Sequence, residues 1–312
     1  MTKFFKILWK IVIFPFVLAY RIITFPIRAI RNASRFLNEE PEENPMMDVV
    51  AGVISDAGVR QHLWEEFDVF RRHLIRAMIG LIIGVGISFY FTIPLMTYLS
   101  GPVGGLERLQ AIEVTEEIGV FMRVALMSGI AIMLPYIAFE IWLFAAPGLK
   151  PRERKIGLVG IPLAALLFAT GMAFTFYVLL PAALPFLGGF TRISEFWSAR
   201  EYFKFVTGLM LWIGLFFEFP LVIYILTAIG FVKPAVLAQQ WRLAVVIISI
   251  LAAAVTPTVD PVNMGLVMLP MILLYFVSIG LSYIAYAGRR RTETQSAERR
   301  KKSVSQNQDE VQ

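Results

Sequence analysis

Polar residues do not punctuate this chain at the helical or the strand period; apolar residues run on unbroken for about twenty positions at a time. A helix with no polar face needs apolar surroundings on every side, and runs of this length match the hydrocarbon thickness of a bilayer. Six such runs follow one another: Ala77–Ile93, Val124–Ala146, Ile156–Leu180, Phe205–Val232, Leu243–Val255 and Met264–Ala287. The second holds Pro135 and Glu140, and the fourth is interrupted by Glu218. The fifth has 13 residues, about 20 Å of helix against a hydrocarbon core of about 30 Å. Between the last two lies Thr256-Pro257-Thr258-Val259-Asp260-Pro261, a turn-rich connection that no continuous helix accommodates. The pattern predicts an all-α polytopic membrane protein of six transmembrane helices.

Charge then orients the spans. One set of connections carries Lys150, Arg152, Arg154 and Lys155, then Lys233 and Arg242, then Arg289, Arg290, Arg291 and the run Arg299 to Lys302. The opposite set carries Arg108, Arg192, Arg200 and Lys204 mixed with Glu107, Glu113, Glu116, Glu117, Glu195 and Glu201. Positive loops stay in the cytoplasm, so both chain ends are expected there. Ahead of the spans, Lys3, Lys6, Lys10, Arg21, Arg28, Arg31 and Arg35 fall within an arc of about 80° on a helix. Phe14-Pro15 is echoed eleven residues later by Phe25-Pro26, which keeps both prolines opposite the basic stripe. This reads as a basic amphipathic helix in the headgroup plane, its cations toward anionic lipids. The competing reading, a seventh span through 7–27, would have to bury Lys10 and Arg21. Three regions result: a basic extension and acidic linker over 1–60, a six-span domain over 61–288, and a basic, disordered tail over 289–312.

Composition agrees and narrows the function classes. With 57% hydrophobic and 17% charged residues the chain is too apolar for a soluble domain, and the spacing of the apolar runs leaves no room for a separate one. The net charge of +6 lies where topology demands it, so it argues for no nucleic-acid partner. Absence of cysteine excludes thiolate chemistry and Cys-based metal sites. His62 and His73 form no ligand cluster, and no phosphate-cradling loop or nucleophile elbow is present. No enzyme, metal or cofactor is expected.

Several motifs carry a family resemblance in their order and spacing. They are Glu113-Val114-Thr115-Glu116-Glu117 running to Arg123, then Pro135-Tyr136…Glu140-Ile141-Trp142-Leu143-Phe144-Ala145-Ala146-Pro147-Gly148-Leu149, and Arg152-Glu153-Arg154. Gly171-Met172-Ala173-Phe174, Phe217-Glu218-Phe219-Pro220 and the Thr256–Pro261 connection complete the set. From about residue 62 to 287 the chain resembles TatC, the multispanning receptor subunit of the twin-arginine protein translocase. The family's His-Leu-x-Glu-Leu-Arg-x-Arg-Leu before the first span is stretched here. His62-Leu63-Trp64-Glu65 matches its start and Phe70-Arg71-Arg72-His73-Leu74 its end. Glu65, Glu66 and Asp68 therefore all stand for one acidic role. Met264 stands where the family has a glutamine.

The resemblance implies a signal-peptide site built from Glu153, the acids Glu65, Glu66 and Asp68, and Phe144. Without it, Glu153 reads as a loop carboxylate balancing its basic neighbours, worth under about 1 kcal/mol. Glu218 near mid-span costs of order 3 kcal/mol to insert, which points to a partner-facing role. Glu140 reads equally as a snorkelling carboxylate and as a functional one. Asp260 reads as a turn cap, raised by its family match, and Pro102 as a shaper of a helix end within Gly101–Gly105. The implied function is a receptor and scaffold for export of folded proteins bearing twin-arginine signals, driven by the proton gradient. Implied partners are single-span Tat subunits within a multi-subunit complex in a bacterial cytoplasmic membrane. A small-solute secondary transporter is the alternative, but it would show repeated halves and clustered mid-membrane charges, and the spans show neither.

Overall fold

The computed structural model of the chain describes residues 57–188, 197–256 and 261–309, with Leu37, and the side chains from 67 to 290. The basic N-terminal helix over 1–35 and the turn at Asp260 lie outside the described residues, as do the side chains of Glu65 and Glu66. The elements are α1 (Ala57–Leu99), β1 (Leu109–Gln110), α2 (Glu116–Ala145), α3 (Pro151–Phe174), α4 (Leu180–Gly188), β2 (Trp197–Ser198), α5 (Ala199–Ile229), α6 (Pro234–Gln239), α7 (Trp241–Val255) and α8 (Pro261–Asp309). Five stretches are long and apolar enough to cross a membrane: Phe67–Val103, Glu116–Gly148, Pro151–Phe186, Ala199–Ile229 and Pro261–Arg290. The fifth apolar run is the 15-residue α7.

Local sequence sets the ends of these helices. Proline stands at the first position of α3 and α6, where its missing N–H costs nothing and its fixed φ starts a helix. Ser198 caps α5 by accepting the Glu201 N–H. That helix stops at Gly230, whose φ of 98° is left-handed and suits glycine. The Arg289 guanidinium donates to the Ile229 carbonyl at 2.9 Å, so the last helix seals the end of α5. After α3, one π-helical turn spans Thr175–Leu179. The wider turn accommodates Pro181, which lacks the next N–H, and the chain stays helical to Gly188 where the sequence predicts an end near Leu180. At the other extreme α8 is continuous to Asp309. The change of composition at 288 therefore coincides with no break in the backbone, and helix stands where the polar tail reads as disordered.

Packing centres on α5, which contacts α2, α3, α7 and α8, while α1 lies along α2. Close approach depends on small residues. A Cβ on Gly171 would come within 2.8 Å of Gly214 Cα, and one on Gly129 within 2.8 Å of Val85 Cα. The densest core lies toward the end of the bundle away from the 150–155 loop, where Leu99, Val120, Leu180, Phe203, Val206 and Leu209 are buried. Elsewhere the spans turn apolar side chains outward, as at Ile82, Tyr90 and Leu166. That is the inverse of a soluble fold and is what a hydrocarbon solvent permits. At the densely packed end β1 and β2 pair in parallel, Leu109 with Trp197 and Gln110 with Ser198.

Candidate functional site

At the basic end of the bundle, α2 passes into α3 through a turn braced by one buried side chain. Arg154 is buried. Its Nε donates to the Ala146 carbonyl at 2.6 Å and its Nη2 to the Pro147 carbonyl at 3.1 Å. Its own carbonyl accepts the Trp142 indole N–H at 3.1 Å. The guanidinium thus adds donors to the carbonyls at the end of α2, where the helix ladder runs out, beside the Leu149 N–H that Ala146 also accepts. The indole can lie there because position 157 is glycine; a Cβ would stand 2.6 Å from Trp142 Cδ1. Glu153 then caps α3, one carboxylate oxygen accepting the Lys150 N–H at 3.0 Å. An acid in the first turn also faces the positive end of the helix dipole. The result is a rigid turn on which half-buried Glu153 is flanked by exposed Lys150, Arg152 and Lys155.

Across from this turn, α1 contributes the second wall. Phe70 meets Phe144 edge-on with ring centroids 5.4 Å apart, and the His73 ring lies 6.4 Å from Phe144. One turn below Phe144, the Glu140 carboxylate is buried between the helices. Its Oε2 lies 2.7 Å from His73 Nδ1, and its Oε1 accepts the Tyr136 hydroxyl at 2.8 Å. Tyr136 in turn lies against Gly80, where a Cβ would be 2.5 Å from the ring. Glu140 thus points inward to partners and does not snorkel. His73, which forms no metal cluster with the described residues, is instead the partner of a buried acid. Asp68 is exposed on the same helix, little more than one turn before His73.

Glu218 occupies a different place. On α5 it borders a cavity of about 270 Å³ walled by Trp212, Leu215, Phe216, Phe219 and Val222. Its Oε1 is buried with no hydrogen-bond partner among the described residues. A buried carboxyl oxygen without a partner is costly.

The opposite end carries a node that motif spacing alone did not single out. Glu116, at the start of α2, is buried although three acids crowd that segment. One of its oxygens accepts the N–H groups of Ile112 at 2.8 Å and Glu113 at 3.2 Å. The other accepts the Ser198 hydroxyl at 2.8 Å and the Arg200 N–H at 2.6 Å. Arg200 also pairs with exposed Glu113 at 2.5 Å. One carboxylate therefore ties the α1–α2 connection to the start of α5, next to the β1–β2 pairing. Pro102 sits exposed in the 3₁₀ turn Gly101–Val103, on the rim of a cavity of about 950 Å³ with Tyr98, Arg108, Tyr177 and Trp197. It stands in the first turn after α1.

Residues 65–270 match the family described as Sec-independent protein translocase protein (TatC). The chain belongs to the TatC family. A TatC of Deinococcus radiodurans is 33% identical over 253 residues, covering 78% of this chain and 92% of that protein. One of Carboxydothermus hydrogenoformans is 34% identical over 220 residues, covering 70% and 90%. A crystal structure of the twin-arginine translocase receptor TatC superimposes with a TM-score of 0.64 at 30% identity, covering 70% of this chain and 99% of that one. The chain is thus a multi-pass membrane protein of the bacterial TatC family, a translocase subunit and not an enzyme. Of the residues that the TatC motifs singled out, the fold brings Phe144 and Glu140 against α1 and presents Glu153 on the adjoining turn. Glu218 stands apart on α5. Arg154, His73 and Glu116 were missed as anchors because their partners come from distant positions or from backbone groups, which no sequence spacing reveals.

Proposed function

We propose that the chain crosses the membrane six times, with both ends in the cytoplasm, and serves as the receptor and core scaffold of the twin-arginine translocase. α7 supplies the sixth, shorter crossing. The basic end of the bundle then faces the cytoplasm, in line with its excess of lysine and arginine. There Glu153, together with an acid from Glu65, Glu66 and Asp68, receives the paired arginines of a signal peptide, and Phe144 flanks its apolar segment. The observation that carries this reading is the turn locked by Arg154, which holds a half-exposed carboxylate at a helix N-terminus beside an aromatic wall. A guanidinium offers a planar fork of donors that matches a carboxylate, which an ammonium cannot reproduce.

Glu218 and its cavity are the docking place for a polar group on a single-span Tat partner or on a deeply inserted signal. Folded cargo follows the signal, driven by the proton gradient, in a multi-subunit complex of the bacterial plasma membrane. Anionic lipids bind the N-terminal basic stripe. The test is export of a reporter with a twin-arginine signal, in cells lacking their own receptor and supplied with cognate single-span subunits. Wild type is expected to restore export and Glu153→Ala to abolish it. Equal export by both would remove Glu153 from the site; no export by wild type would overturn the receptor reading.

A further inference from the structure

The cavity of about 950 Å³ beside Pro102 belongs neither to the Glu153 turn nor to Glu218. Its walls are the last turns of two apolar stretches, Phe67–Val103 and Pro151–Phe186, so it lies where spans give way to lipid headgroups. Tyr98, Tyr177 and Trp197 in its lining are the amphipathic rings that collect at that level. The π turn carries Phe176 and Tyr177 into one wall, and such turns recur at functional sites. Phe176 stacks on Tyr98 with ring centroids 4.8 Å apart, and the Tyr98 and Tyr177 hydroxyls bond each other. One phenol donates in that pair, so the other keeps its O–H for a further acceptor. Pro181 and Pro185, four residues apart on α4, continue the wall as carbon surface without an N–H.

Among the described residues Arg108 is the only charged side chain in this lining, and its guanidinium makes no hydrogen bond or ion pair with any of them. Gly104 makes room for it. At a φ of 93° that glycine has no Cβ, and one would stand 3.0 Å from Arg108 Nε and 3.3 Å from its Cζ. The side chain is therefore laid back over the Gly101–Val103 turn, at the rim of the cavity. A planar fork of donors and a spare phenol O–H above an apolar trough match a phosphodiester whose chains continue into hydrocarbon. An apolar protein segment would fill the trough without answering the guanidinium, and no carboxylate is there to receive the ammonium of a zwitterionic headgroup. We propose that the cavity is a phospholipid site: Arg108 and the Tyr98–Tyr177 pair hold the phosphate of an anionic phospholipid, and its acyl chains run over Phe176, Pro181 and Pro185. The site is separate from the N-terminal basic stripe, and its lipid belongs to the outer leaflet on the topology proposed above.

The test places the full chain in phosphatidylcholine nanodiscs doped sparsely with photoactivatable phosphatidylglycerol, or with the matching photoactivatable phosphatidylcholine, and maps the labelled peptides. Phosphatidylglycerol should label 97–108 and 176–185 well above the exposed apolar stretch 78–87 of α1, and the choline lipid should show no such preference. Arg108→Gln should lower that labelling about tenfold, as loss of a charge-assisted bond implies, with the thermal midpoint unchanged. Thr97→Trp, which fills the cavity and leaves the guanidinium in place, should abolish it. Equal labelling by the two lipids, or labelling that survives both substitutions, would overturn the site. Labelling that disappears when cognate single-span subunits are added would give the trough to a protein segment and overturn the lipid as its occupant. Export of the twin-arginine reporter tests the receptor reading separately, so either reading can fail without the other.

Discussion

At the scale of single residues, the turn between α2 and α3 shows how a short motif acquires its shape. Gly157 is needed because the Trp142 ring occupies the space that any Cβ would enter. Gly157→Leu should displace that ring, break its bond to the Arg154 carbonyl and cost about 1–3 kcal/mol. Thermal unfolding of the purified chain would measure the loss, and an unchanged midpoint would mean that Trp142 has somewhere else to go. Glu218 makes the opposite case. With a buried oxygen lacking a partner, Glu218→Leu should raise the thermal midpoint of the isolated chain while lowering reporter export. A variant that loses both would indicate a structural carboxyl. Glu140 and Glu218 read alike in sequence, each a lone acid in an apolar run. Only their neighbours separate a satisfied carboxylate from an unsatisfied one.

At the scale of elements, the carboxylate of Glu116 joins two connections that are more than eighty residues apart in sequence. Glu116→Gln keeps the size and one acceptor oxygen but puts a donor amide where two donors converge. Limited proteolysis should then cut faster in the 100–115 connection, with the spans themselves intact. Cleavage rates equal to wild type would show that the β1–β2 pairing suffices to hold the two connections. The α3–α5 contact is more demanding, since Gly171 meets the backbone of Gly214. Gly171→Leu should separate these helices and lower the yield of folded protein extracted from the membrane. The π turn was not visible in the hydropathy pattern, because it is a backbone answer to Pro181 within an otherwise uniform apolar run.

For the whole molecule, the unequal lengths of the helices carry a consequence. α7 is 15 residues long, about 22 Å at 1.5 Å per residue. The five long apolar stretches are 30 residues or more. As the sixth crossing proposed above, α7 would favour a thin or locally thinned bilayer. Reconstituted into lipids of increasing acyl length, the chain should show its highest signal-peptide affinity and thermal midpoint in the thinner bilayers. A flat response would mean that α7 is screened from lipid by its neighbours. The same helix shows what an apolar run leaves open: it reads clearly as helix and as membrane-facing, whereas its depth depends on how α5 and α8 hold it.

Read by itself, the chain determined the helical class, the order of the apolar runs, the likeness to TatC and the acidic residues worth attention. Hydrophobic continuity, loop charge and motif order are local properties, so they survive in one dimension. Tertiary structure decided that Arg154 is a buried clamp for its turn, that His73 and Tyr136 share Glu140, that Glu116 bridges two connections, and that Glu218 faces a cavity. Each of those depends on a carbonyl, an N–H or a ring brought close by packing, and hydrogen bonds of about 3 Å are made by geometry that residue spacing does not encode.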